Sequence, residues 1–136
     1  MDRTGLNKQI TEYCEGRPEI IACYLFGSFA TGSNRHGSDL DLAFLLIAEI
    51  SAAEYGNFKD SIVTGLGRRT RLDIHPLIMN NAGELVLGQI FSKGEIVFSR
   101  MPEKLCNFRS TKFPLIAEFS YYIDMMQSHQ KKRYGK

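Results

Sequence analysis

Apolar and polar positions alternate along this chain in blocks of two kinds. Residues 5–15 repeat apolar side chains at helical spacing, with Leu6, Ile10, Tyr13 and Cys14 on one face, and Gly16 and Pro18 end the block. The next block, "EIIACYLF" over 19–26, is almost wholly apolar, as in a strand covered on both faces, and stops at Gly27. Residues 29–38 are polar and read as a loop or short helical turn. "DLDLAFLLI" over 39–47 is the second strand. Ser51 to Glu54 carries a capping-box pattern, opening a helix with the stripe Tyr55, Phe58, Ile62, Val63 and Leu66, closed by Gly65 and Gly67. "TRLDIHPLI" over 70–78 is a third strand, with Pro76 near its end. Asn80 or Asn81 caps a helix over 82–91, and "EIVFS" after Gly94 is a fourth apolar segment. Pro102 suits a helix start, and a last helical region over about 102–131 is broken or kinked near Pro114. The order α-β-(loop)-β-α-β-α-β-α predicts an α/β fold: a small sheet with helices packed on it, in one domain spanning 1–136.

Composition narrows this picture. At 136 residues, 43% hydrophobic and 24% charged, the chain has material for one core and no second substrate-binding domain. A net charge of +2 gives no overall field for nucleic acid, so direct nucleic-acid binding is not expected. The basic runs "RRTR" (68–71) and "HQKKRYGK" (129–136) read as a helix end and a solvated tail. Three cysteines, Cys14, Cys23 and Cys106, without a CxxC, favour a reducing cytoplasm over a disulfide framework. No signal-peptide pattern and no run of 18 apolar residues occurs, so no membrane association is expected.

The second strand carries the chemistry. Side chains at i and i+2 share a face, so Asp39, Asp41 and Ala43 point one way and Leu40, Leu42 and Phe44 point into the core. The third strand likewise sets Arg71, Asp73 and His75 on one face, beside the aspartate pair if the strands are neighbours. Carboxylates gathered on a half-buried face repel one another and raise each other's pKa unless a cation joins them. A hard divalent ion such as Mg²⁺ does so through oxygen ligands. Two aspartates at i, i+2 suit two ions ~4 Å apart, the arrangement that clamps an in-line phosphoryl displacement. Gly27 lets the backbone approach a ligand closely. Ser28 adds a hydroxyl and an amide for phosphate, at the start of any helical turn that begins there. Arg35 and His36 lie in the loop within reach of a phosphate or base, and a solvated loop accounts for them equally.

Gly27-Ser28, ten residues, then Asp39-x-Asp41 resembles the signature of the DNA polymerase β-type nucleotidyltransferase superfamily. The size and the stretch "YLFGSFATGSNRHGSDLDLAFLL" resemble its minimal (MNT-domain) branch. So do "RLDIHPL", in the place of that branch's third-aspartate strand, and "LGQIFSKGEIVFSR" before a terminal helix. His75-Pro76 departs from the small apolar residues expected there. The resemblance implies a nucleotidyltransferase fold with a mixed sheet and transfer of a nucleoside monophosphate from an NTP to a hydroxyl, with Mg²⁺. It also implies an antitoxin role, with ATP as substrate and AMP added to a tyrosine of a HEPN-domain RNase toxin. Gly27 and Ser28 would hold the triphosphate, and Asp39 and Asp41 the metal. Asp73 would be a third metal ligand or the base for the acceptor. Transfer to a small molecule or RNA end with a separate subunit, and neutralisation by binding alone, are the other readings. The stripe Ile116, Phe119, Ile123 and Met126, with Tyr121 and Tyr122, is either a docking face for a protein acceptor or the packing face of the last helix.

Overall fold

A computed structural model describes residues 2–32 and 39–133, with side chains to residue 128; Arg35 and His36, the loop around them and the side chains of the basic tail lie outside the described residues. Four strands form one sheet in the order β3-β2-β1-β4. They are β1 (Ile20–Phe26), β2 (Leu40–Leu46), β3 (Ile74–Ile78) and β4 (Glu95–Ser99). β1 runs antiparallel to both β2 and β4, while β2 and β3 are parallel, so the sheet is mixed. The helices are α1 (Arg3–Glu15), α2 (Ser28–Thr31), α3 (Tyr55–Thr70), α4 (Glu84–Lys93) and α5 (Pro102–Arg133).

The apolar runs of β1 and β2 are continuous because both faces of the sheet are covered. On one face, Cys23, Leu25, Leu40, Leu42, Phe44 and Leu46 pack against Leu6, Ile10 and Cys14 of α1 and Phe58, Ile62 and Leu66 of α3. Phe44 and Phe58 meet edge to face, with ring centroids 5.4 Å apart. On the other face, Ala22, Tyr24, Ala43 and Leu45 pack against Leu87 and Ile90 of α4 and Leu105 of α5. Burial of each such Leu or Phe contributes roughly 1.5–3 kcal/mol. The two central strands are thereby fixed, and the residues at their ends are held with them.

Several local expectations are corrected by packing. α3 does not close at Gly65 and Gly67 but continues to Thr70. Gly65 is a contact, since a Cβ there would sit 2.7 Å from the Tyr13 hydroxyl of α1. The missing side chain lets the two helices approach. The helix ends on Arg71 in the left-handed conformation (φ 58°), its amide donating to the Gly67 carbonyl at 2.8 Å. The third strand therefore begins at Ile74, not at residue 70. Val63 lies off the buried stripe and is exposed.

The capping box at Ser51 and Glu54 is present and starts a single 3-10 turn leading into α3. Asn80 caps no helix. Its side chain pairs with both backbone groups of Leu46, accepting from the amide at 2.9 Å and donating to the carbonyl at 2.8 Å. α4 starts from Gly83 instead. Pro114 does not break α5, which runs through it as one helix. The first half of α5 packs through Leu105, Phe108 and Ile116, with Ile116 lying against Gly88 of α4. Beyond it Tyr121, Tyr122, Ile123, Met125 and Met126 are exposed. Packing on the body thus accounts for Ile116 but not for Ile123 or Met126. Among the described residues, no helix is long and apolar enough to cross a membrane.

Candidate active site

The ends of β1 and β2 that carry the glycine and the aspartates lie side by side. Phe26, the last residue of β1, pairs with Asp41, so Gly27 leaves the sheet directly beside that carboxylate. Gly27 has φ 73° and ψ −153°, a combination essentially confined to glycine. A Cβ there would overlap Oδ2 of Asp41 and lie 3.1 Å from its Cγ. Glycine is thus required twice at this position, by the backbone angle and by the carboxylate pressed against it.

α2 is a single turn. Its Ala30 and Thr31 amides both donate to the Gly27 carbonyl, at 3.2 and 3.3 Å. The amides of Ser28 and Phe29 precede the first intrahelical bond and have no acceptor within the turn. A helix this short has little dipole, so anion binding here would rest on individual N–H groups and the Ser28 hydroxyl. Four residues suffice because Gly32, in the left-handed conformation (φ 77°), ends the turn.

Asp39 stands immediately before β2 and Asp41 within it, on the same face as Ala43. Across the parallel pairing Asp41 is opposite His75. The imidazole spans the carboxylates, with Nε2 3.2 Å from Asp39 Oδ2 and Nδ1 3.8 Å from Asp41 Oδ1. Burial pushes the Asp41 carboxyl above its ordinary value of 3.8; His75 opposes the shift and Asp39 adds to it.

Asp73 lies one residue before β3 and is exposed; its carbonyl accepts the Leu40 amide at 2.8 Å, which places it beside Asp39 in register. Arg71, expected on the same strand face, is instead the exposed cap of α3. The structure thus brings together Gly27, Asp39, Asp41 and His75. Among the described residues no group of three or more His, Cys, Asp or Glu side chains is arranged to hold a metal ion. The aspartate pair offers two hard carboxylates on one face, bridged by the His75 imidazole. That chemistry fits a divalent cation of the Mg²⁺ type. Sequence reasoning placed His75 on the correct face but not in contact with both aspartates, since only the strand register determines that.

Known proteins share this architecture. A crystal structure of a toxin–antitoxin with AMP-PNP matches with a TM-score of 0.64 at 19% identity, covering 93% of this chain and 99% of that one. A MntA–HpeT toxin–antitoxin mutant with two aspartates replaced by glutamate matches at 0.64 and 20% identity, covering 90% and 98%. A tri-AMPylated Shewanella oneidensis HEPN toxin in complex with MNT antitoxin matches at 0.60 and 19% identity, covering 93% and 99%. At these identities the likeness is one of fold. No curated protein sequence matches. The family model described as "Polymerase beta, Nucleotidyltransferase" matches residues 8–103, most of the chain, and the chain belongs to that nucleotidyltransferase family.

Proposed function

We propose that this nucleotidyltransferase is a Mg²⁺-dependent protein adenylyltransferase that moves AMP from ATP to a tyrosine of a HEPN-type RNase toxin, and so acts as its antitoxin. The observation that carries the catalytic part is the apposition of Gly27 and Asp41, with Asp39 on the same face. A turn whose Ser28 hydroxyl and leading amides can meet phosphate thereby adjoins a carboxylate pair suited to a cation. The toxin-directed part is supported by the fold shared with toxin–antitoxin complexes, one holding AMP-PNP and one a tri-AMPylated toxin.

In this reading Ser28 and the neighbouring amides bind the triphosphate, and Asp39 and Asp41 hold the metal. The cation they would hold would supply charge neutralisation at the phosphates. The tyrosine oxygen forms a bond to the α-phosphorus, the bond from that phosphorus to the bridging oxygen breaks, and pyrophosphate leaves. The tyrosine proton passes to Asp73, whose exposed position beside Asp39 suits a base facing an incoming acceptor better than a third ligand. The exposed second half of α5, with Tyr121, Tyr122, Ile123 and Met126, is assigned to the partner.

The test is neutralisation in cells expressing the toxin. The wild-type chain restores growth, and the double variant Asp39→Ala, Asp41→Ala at equal expression does not. Restoration by the double variant would establish neutralisation by binding alone.

A further inference from the structure

Arg3, the first residue of α1, reaches across the molecule to the turn that carries Ser28. Its side chain meets three elements at once. Nε donates to Asn7 Oδ1 of α1 at 3.3 Å, and Nη1 donates to the Phe29 carbonyl of α2 at 2.6 Å. Nη2 pairs with Glu95 Oε2 at the start of β4. The base of this bracket is itself fixed, because Asp2 caps α1 by accepting the Gly5 amide at 2.7 Å. Glu95 is equally well anchored, since it pairs with Leu25 in β1, two residues before Gly27.

The turn is held from within by Phe29 and Ala30 packing on the core, by the Gly32 amide on the Ser28 carbonyl, and by the Thr31 hydroxyl on the Gly27 and Ser28 carbonyls; Arg3 adds a tie from outside it, to the Phe29 carbonyl. α2 is four residues long, and the amides of Ala30 and Thr31 share one carbonyl, that of Gly27. A one-turn helix is unstable alone, since nucleation fixes several residues for few bonds. Arg3 supplies a charge-assisted hydrogen bond to the Phe29 carbonyl, one residue from Ser28. The rigid fork of the guanidinium lets it hold Phe29 and Glu95 together.

We infer that Arg3 is a positioning residue for nucleotide binding: with Glu95 as its anchor, it sets the orientation of the Ser28 turn without touching the nucleotide. The inference rests on the proposal that this turn binds the triphosphate. It is separate from the metal chemistry of Asp39 and Asp41.

The experiment measures Mg²⁺–AMP-PNP affinity by calorimetry, and KM for ATP and kcat in the transfer assay. Wild type, Arg3→Ala, Arg3→Lys and Arg100→Ala are compared. Arg100 bonds the carbonyls of Cys14, Glu15, Arg17 and Ile20, away from the Ser28 turn, so its variant controls for general loss of stability. Arg3→Ala is expected to weaken AMP-PNP and raise KM by about 10-fold while kcat stays within about threefold. Arg3→Lys recovers part of the affinity, and Arg100→Ala leaves it within about twofold below its melting range. Unchanged affinity in Arg3→Ala, or an equal loss in Arg100→Ala, overturns the inference while leaving the nucleotide site standing. A wild-type chain that binds no AMP-PNP overturns the nucleotide reading itself, and the inference with it.

Discussion

Replacing Gly27 with alanine tests the site at its tightest contact, and Gly32 provides the control. Both glycines have positive φ, 73° and 77°. At Gly32 (ψ 9°) an added Cβ meets nothing within 4 Å among the described residues, so alanine there incurs the left-handed backbone, about 1–2 kcal/mol. At Gly27 the angles fall in a region closed to other residues, with a strain of about 1–3 kcal/mol. The new Cβ also overlaps Asp41 Oδ2 and lies 3.1 Å from Cγ. Non-bonded heavy atoms rest at ~3.5 Å, so with Oδ2 overlapping the new Cβ the carboxylate must retreat by about 1 Å. A misplacement of this size among reacting groups costs on the order of 100-fold in rate. Gly27→Ala should therefore lower Tm by about 6–10 °C and Gly32→Ala by about 3–6 °C. The rate of labelled AMP transfer should fall about 100-fold in the first and stay within about threefold in the second. Circular-dichroism melts and initial rates at saturating Mg²⁺ read both quantities. Equal Tm and equal rates in the two variants would refute the argument that Asp41 requires glycine at position 27.

Three further outcomes follow from the same structure. The Asp41 carboxyl titrates above its unfolded value of 3.8, so its protonated form is the one folding favours, a contribution lost as pH rises through the folded pKa. Asp41→Asn should raise Tm at pH 7 relative to wild type, with the gain shrinking as pH falls and vanishing below the unfolded value; melts across pH 3–8 check the sign. Arg100 ties the end of α1 to the start of β1 through four carbonyls, and Arg100→Ala should cost about 2–3 kcal/mol in urea unfolding. Tyr24 is buried and its hydroxyl has no partner among the described residues; Tyr24→Phe should raise stability by about 1 kcal/mol in the same assay.

β1, β2 and the helices α1 and α3 were legible because their residues report burial directly. The apolar runs of β1 and β2 carry two covered faces, and the alternation around Asp39 and Asp41 gives their shared face without any knowledge of topology. The errors lie where tertiary contact outweighs local propensity. Gly65 reads as a helix end but is the place where Tyr13 approaches α3, and Asn80 reads as a cap but bridges the backbone of Leu46. Both depend on a partner far away in sequence. The same holds at the site. Gly27 and Asp41 could be connected by spacing, but their direct contact follows from the Phe26–Asp41 pairing. His75 meets both aspartates only because β3 is parallel to β2 in this register. Arg3 gave no signal at all, since nothing in a helical N-terminus indicates a carbonyl 26 residues away.

The central claim concerns where the AMP goes, and the mass of the intact toxin reads it directly. After incubation with this chain, ATP and Mg²⁺, the toxin should gain whole AMP units that peptide mapping places on tyrosine. With the Asp39→Ala, Asp41→Ala variant its mass should not change. A toxin of unchanged mass that is nonetheless silenced by the wild-type chain, or label found only on RNA or a small molecule, would contradict the account.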